Sequence, residues 1–182
     1  MKLVPVLETK NLIITILTPA DFKLLVEYQN NNKQHLSQWE PIRTPEYFDE
    51  YETKKRIENS SLDYQLGNSI SLVALNKDKN KIVSLCTFSN IVHGAFQACN
   101  LGYSINEEDQ DKGLMYEMLN VSIKYVFQTY KLHRIMANYM PENRPSESLL
   151  IKLGFQKEGL AKSYLKIAGI WQDHILTSKI SS

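Results

Sequence analysis

The sequence predicts a single α/β domain (α+β in layout) over residues 1–182, a mixed sheet covered by helices rather than a doubly wound parallel one. Three observations predict it. The elements run strand, two helices, a series of strands, then helix and strand in alternation. The chain has 182 residues, 43% hydrophobic and 10% aromatic, enough to bury a core without disulfides or metal. No repeat, low-complexity tract or linker divides it.

Taken in order, residues 12–17 form a first strand because Ile13, Ile14, Thr15 and Ile16 are β-branched. Thr18 and Pro19 set a cap and an N1 proline before a helix over residues 20–30. After a polar stretch containing Trp39, Glu40 and Pro41, a second helix is expected over residues 45–59. Strands follow at 70–75 and 82–88, joined by the polar turn 76–81, and another at 96–105. Met115, Met118, Leu119, Ser122, Ile123, Val126, Phe127 and Tyr130 then recur at helical spacing, giving one apolar face. A methionine-rich stripe of this kind is core packing. Residues 133–139 read as a strand and 146–153 as a short helix stopped by Gly154. A strand begins at Phe155, and the last covers residues 171–180.

The charge balance of 21 Lys+Arg against 20 Asp+Glu argues against a protein that binds by neutralising many phosphates, so no direct nucleic-acid contact is expected. No apolar run reaches the ~20 residues of a membrane span. The first residues lack the apolar core and small-residue cleavage site of a secretory signal. Cys86 and Cys99 could face each other across a hairpin turning near residues 92–94, although two buried thiols in a reducing compartment fit better than a bond. A cytoplasmic location is expected. His35, His93, His133 and His174 lack metal-ligand spacing, and no metal is expected.

One connection has the chemistry of an anion site. The strand ending at Ile105 runs through Asn106, Glu107, Glu108 and Asp109 into Gln110, Asp111, Lys112, Gly113, Leu114 and Met115, where a helix begins. The free N–H groups of a helix's first turn, with its macrodipole, attract anions. Gly113 would let a phosphate approach the backbone, and Lys112 could add a point charge. The acidic run 107–109 suits a solvated turn pointing away. The same residues also fit an ordinary helix start, since neither G-x-G-x-x-G nor a Walker lysine is present.

Gln110-x-x-Gly113-x-Met115 resembles the Q/R-x-x-G-x-G/A pyrophosphate loop of the GCN5-related N-acetyltransferases (GNAT). Downstream, Asn143-x-x-Ser146-x-x-Leu149-x-x-Lys152-Leu153-Gly154-Phe155 is similar to a second signature of that family. Residues 7–13 resemble the first strand of its ribosomal-protein subgroup, with Asn11 where that pattern has arginine. The likeness covers nearly the whole chain. It implies a mostly antiparallel sheet with a V-shaped splay between the family's fourth and fifth strands. It also implies acetyl-CoA as cosubstrate. The implied acceptor is the N-terminal alanine amine of a small-subunit ribosomal protein, with the enzyme acting as monomer or homodimer. A small amine such as an antibiotic or polyamine is the alternative acceptor. A non-catalytic acyl-CoA-binding module in ribosome assembly is the alternative of a different class.

Carried over residue by residue, the resemblance puts the pantetheine arm on Leu101, Tyr103, Ser104 and Ile105, through backbone groups of Tyr103 and Ile105 above all. The pyrophosphate falls on amides of residues 110–115, where Met115 replaces the usual small residue. Asn138 and Asn143 touch the coenzyme from the other side, and Asn143 equally suits a helix N-cap. Many relatives use a tyrosine seven residues after the signature asparagine to protonate the thiolate. Leu150 stands there, which leaves Ser146 as the acid, or as a helix-capping residue. The strand glutamate of many relatives is also missing, with Asn100 near that position. Glu40 is then the candidate base, or a surface-loop carboxylate; Glu158 and Asp173 follow it.

Overall fold

A computed structural model describes residues 2–181. One eight-stranded sheet runs through it in the order β1-β2-β3-β4-β5-β6-β8-β7. The strands are β1 (Val6–Glu8), β2 (Ile13–Thr15), β3 (Ile70–Leu75), β4 (Ile82–Val92), β5 (Ala98–Ile105), β6 (Arg134–Met136), β7 (Gln156–Ile167) and β8 (Ile170–Ile180). The helices are α1 (Phe22–Leu36), α2 (Glu50–Leu66), α3 (Leu114–Tyr130) and α4 (Arg144–Lys152). Every strand pair is antiparallel except β5 with β6. The expected mixed, mostly antiparallel sheet is what forms.

Alternation along the strands sends side chains to two cores. Ile70, Leu72, Ala74, Cys86, Phe88 and Leu101 pack under the apolar face of α3, with Leu150 of α4 and Leu153 just past its end. Val73, Leu75 and Ile82 face the other way, onto Tyr28 of α1 and Ile57 of α2. So α3 and α4 cover one face, and α1 and α2 the other.

Both N-terminal helices run past their expected ends. Asn30, Asn31 and Asn32 have poor helix propensity, yet α1 continues to Leu36 because Asn32 is fully buried and hydrogen-bonded. A 3-10 turn (Pro45–Phe48) precedes α2, which starts at Glu50 and continues through Asn59, Ser60 and Ser61. It stops only at Gly67, whose φ of +83° forms a left-handed cap with N–H bonds to Asp63 and Tyr64 carbonyls. Strand β1, three residues at the sheet edge, is too short for a periodic pattern and overlaps only the stretch 7–13 that resembles the family's first strand. Strand β4 extends to Val92 through a bulge, and β6 keeps only three residues.

The two cysteines do not face each other. Cys86 pairs with Tyr103, while Cys99 lies beside the bulge where β4 and β5 shift register, so the hairpin offset separates them. Both are free and buried, and burial pushes both thiols up to about 12.

Candidate active site

The pairing of β5 with β6 begins at Ala98↔Arg134 and stops at Asn100↔Met136. Beyond it β5 continues to Ile105, still paired with β4 alone. Two bonds fix which way the free backbone points. Asn106 donates its N–H to the Val83 carbonyl at 2.9 Å, so even-numbered residues of β5 address β4. The Gln97 carbonyl accepts from the Arg134 N–H at 3.1 Å, so odd-numbered residues address the β6 side. The N–H and C=O groups of Leu101, Tyr103 and Ile105 therefore open into the gap. An extended chain laid in this gap would add a strand to β5.

The gap belongs to a cleft of about 550 Å³. Its lining includes Leu101, Tyr103, Ser104 and Ile105 on one wall, and Asn138, Asn143 and Ser146 on the other. Its far end is closed by the turn into α3, where Gln110, Asp111, Gly113, Leu114 and Met115 contribute. Gly113, the residue before the helix, has φ +76°, and a Cβ built on it meets nothing within 4 Å. The left-handed turn and the open space above it leave the first N–H groups of α3 approachable by an anion. Met115 is accommodated because its side chain is buried in the α3 core rather than in the loop.

Within the acidic run Glu107 and Glu108 are exposed, as expected, and Asp109 departs from the expectation. Asp109 is buried rather than solvated, with Lys81 Nζ at 2.6 Å and Lys112 Nζ at 3.0 Å. Burial pushes the Asp109 carboxyl up, but its bonds from Lys81, Lys112 and Asn106 outweigh that and hold it below the ordinary range. Lys112 is thus held at Asp109, with its side chain still 56% exposed.

The catalytic candidates separate between two cavities. Ser146 is on α4, and its Oγ is hydrogen-bonded to the Tyr103 hydroxyl. Asn143 caps this helix, its Oδ1 accepting from the Ser146 N–H at 3.1 Å. Burial pushes the Tyr103 phenol up to about 12, against the opposing bond to Ser146, so it keeps its proton throughout the neutral range. Leu150 is in the core at 1% exposure. Asn138 falls past the end of β6, where Oδ1 accepts from the Thr177 N–H at 3.1 Å and Nδ2 donates to the Tyr164 hydroxyl at 3.3 Å. It fills the interval before the bridge between Tyr139 and Ile175.

Glu40 does not line this cleft. It lines a second cavity of about 520 Å³ on the α1–α2 side, together with Tyr28, Lys33, Arg43, Tyr47 and Phe48. Ser104 and Leu36 belong to both linings, so the two spaces adjoin across β5. There the Tyr28 hydroxyl and Ser104 Oγ are 2.9 Å apart. The Trp39-Glu40-Pro41 segment divides the same way, with Trp39 in the cleft and Glu40 in the second cavity. The Glu40 carbonyl accepts from the Ala168 N–H at 2.9 Å, and its carboxylate is 3.4 Å from Arg43. Of the lesser base candidates, Glu158 pairs with Arg134 and Ser178, and Asp173 accepts from the Ser163 N–H. Both are occupied away from the cleft.

Sequence reasoning missed two side chains. The resemblance uses Tyr103 only through its backbone, yet strand alternation sends its ring to the α3–α4 face where Ser146 lies. Tyr28 carried no sequence signal beyond being apolar on a helix.

Comparison with known proteins bears on this geometry. The family model described as the acetyltransferase (GNAT) domain matches residues 11–156. The chain is a GNAT acetyltransferase. The ribosomal protein uS5-alanine N-acetyltransferase of Escherichia coli K12 is 40% identical to this acetyltransferase over 172 residues, covering 94% of this chain and 89% of that one. The crystal structure of the ribosomal-protein-S5-alanine acetyltransferase of Vibrio fischeri superposes with a TM-score of 0.93 at 38% identity, over 97% and 96% of the two chains. A structure of Mycobacterium smegmatis RimJ in complex with CoA-disulfide has a TM-score of 0.88 over 98% of this chain and 87% of that one. At 24% identity it shares the fold. GNAT acetyltransferases take their acetyl group from acetyl-CoA, and the splayed β5 with the glycine turn before α3 fits such a cosubstrate.

Proposed function

We propose that this acetyltransferase transfers the acetyl group of acetyl-CoA to the N-terminal alanine amine of ribosomal protein uS5, a small-subunit protein. Its similarity to two enzymes named for that reaction supports the acceptor. The observation that carries the chemistry is the meeting of two cavities at Ser104 and Leu36. One offers an unpaired strand edge for the pantetheine arm, and the other gives an amine a separate approach.

When bound, acetyl-CoA supplies a thioester carbonyl open to attack. Backbone groups of Leu101, Tyr103 and Ile105 hold the arm in strand register, and the α3 turn with Gly113 holds the pyrophosphate. Asn143 and Asn138 border the arm on the opposite wall. An N–H of the splayed strand polarises the carbonyl oxygen as it gains charge. Glu40, at the second cavity, receives the acceptor's ammonium and takes its proton through water. An α-amine has a pKa of about 8, so only modest help is needed. The Tyr103–Ser146 hydroxyl pair delivers a proton to the departing thiolate. The C–N bond forms as the C–S bond breaks; the ammonium's first proton leaves through Glu40 to water, and the second, lost by nitrogen as the tetrahedral adduct collapses, restores the one the hydroxyl pair gave to sulfur. The protein works in the cytoplasm without a metal, as monomer or homodimer, and reads a flexible protein tail rather than nucleic acid.

The test compares substrates. A peptide copying the uS5 N-terminus should release thiol with acetyl-CoA, and the same peptide with a blocked amine should not. Preference for polyamines or aminoglycosides would contradict the acceptor assignment. CoA binding without thiol release from any amine would contradict the reaction.

A further inference from the structure

The phosphate-binding turn and the acceptor cavity are tied together by one buried amide. Asn32 of α1 is fully buried. Its Oδ1 accepts from the Glu107 N–H at 2.9 Å, at the start of the turn that leads to Gly113. Its Nδ2 donates to the Tyr28 carbonyl at 2.8 Å and to Asn106 Oδ1 at 2.5 Å. Asn106 Nδ2 in turn donates to Asp109 Oδ2 at 3.3 Å, and Asp109 holds Lys81 and Lys112. The amide thus has its two donors and its acceptor committed, one set on the turn and one on α1.

The same helix walls the acceptor cavity. Tyr28, Gln29, Asn32, Lys33 and Leu36 line it, and Tyr28 reaches Ser104 on the strand between the two spaces. A second, more exposed tie joins His35 Nε2 to Gln110 Nε2 at 3.0 Å. Helix α1 is not separately held against β5 by a strand-like ladder. Its position relative to Ser104 follows these ties, the bond from Arg56 of α2 to Gln29 Oε1 at 3.1 Å, and the apolar contacts of Phe22, Leu24, Leu25, Tyr28 and Leu36.

We propose that Asn32 is a positioning residue that couples the two substrate sites: occupation of the α3 turn by the CoA diphosphate fixes Glu107, and through Asn32 fixes the stretch of α1 that shapes the acceptor cavity. Asn32 touches neither reacting atom. A buried amide with every hydrogen bond committed transmits position well, because displacing either partner leaves a polar group unsatisfied. The coupling is reciprocal, so the acceptor should also tighten CoA. This inference rests on the reading of the second cavity as the acceptor site, but its test does not require the acceptor to be known.

The experiment is hydrogen exchange on the full chain, with and without CoA alone. In the wild type, CoA should slow exchange both at residues 110–117 and along residues 28–36, the latter by about fivefold or more. In Asn32→Ala the first response should persist and the second should fall by at least half. A purely structural role would speed exchange in α1 without altering its response to CoA. If Asn32→Ala does not fold, Asn106→Ser makes the cut from the turn side and should give the same separation. An α1 that ignores CoA in the wild type overturns the proposal. So does a response that survives undiminished in the variants, which would assign the link to the His35–Gln110 contact. Turnover of the uS5 peptide, read on the same preparations, reports separately on the acceptor assignment.

Discussion

Removing either hydroxyl of the Tyr103–Ser146 pair should slow the chemical step, and removing both should be little worse than removing one. The two oxygens are each other's hydrogen-bond partners, so each single change interrupts the same proton path. General acid catalysis contributes roughly 100- to 10,000-fold. Water can replace part of it here, because Ser146 lines an open cleft. We therefore expect kcat to fall about 10- to 100-fold in Ser146→Ala and in Tyr103→Phe, or ~1.4–2.7 kcal/mol of barrier each. Independent contributions would sum to about 2.8–5.4 kcal/mol in the double variant, whereas a shared path gives about the larger single value. The KM for acetyl-CoA should move little in Tyr103→Phe, since the backbone that holds the arm is unchanged. Thiol release with the uS5 peptide gives kcat and KM for all four proteins. Thermal unfolding controls for stability, where loss of one hydroxyl partner should cost about 1 kcal/mol. Single variants within twofold of wild-type kcat would refute the proton path and leave Ser146 as a first-turn residue of α4. Fully additive losses would refute the pairing.

Three further outcomes follow from the same geometry. Gly113→Ala should raise the KM for acetyl-CoA about tenfold with a smaller change in kcat, because its Cβ would occupy the open space above the α3 turn, while the left-handed backbone costs roughly 1–2 kcal/mol of stability; an unchanged KM would remove the turn from the binding site. Glu40→Gln should lower kcat with the peptide and raise the peptide's KM several-fold while leaving the KM for acetyl-CoA alone, since Glu40 lines only the second cavity; unchanged peptide kinetics would remove Glu40 from the acceptor site. Asp109→Asn should cost about 1 kcal/mol at neutral pH, a modest value because Lys81 and Lys112 are 35% and 56% exposed. A carboxyl held below its ordinary pKa of about 3.9 stabilises the fold above that pH and loses this contribution as pH falls through its folded value. The melting temperatures of wild type and variant should therefore converge below about pH 4, and a constant difference would exclude the ion pairs as the cause.

The fold was legible wherever a long periodic pattern existed. The stripe from Met115 to Tyr130 marked α3, and the β-branched runs marked β3, β4 and β5. Boundaries were lost where tertiary contacts overrode propensity: Asn32 inside α1 is buried and bonded, and Asn59, Ser60 and Ser61 are carried along in α2 toward Tyr64. The binding turn could be read because Gln110 and Gly113 stand at fixed spacing, while the tethering of Lys112 could not, since its partner Asp109 looked like part of a solvated acidic run. The catalytic pair was half visible. Ser146 lay in a signature, but its partner Tyr103 comes from a strand 43 residues earlier and is brought to it only by the packing of α4 against β5. Likewise nothing local shows that Glu40 and Ser146 lie in different cavities with Ser104 lining both.

The most direct measurement is to incubate the protein with acetyl-CoA and full-length, unmodified uS5 and to locate the acetyl group by mass spectrometry. One acetyl group is expected, on the α-amine of the first alanine, with one thiol released for each. Acetyl groups on lysine side chains, or no modification despite stabilisation by CoA, would contradict it.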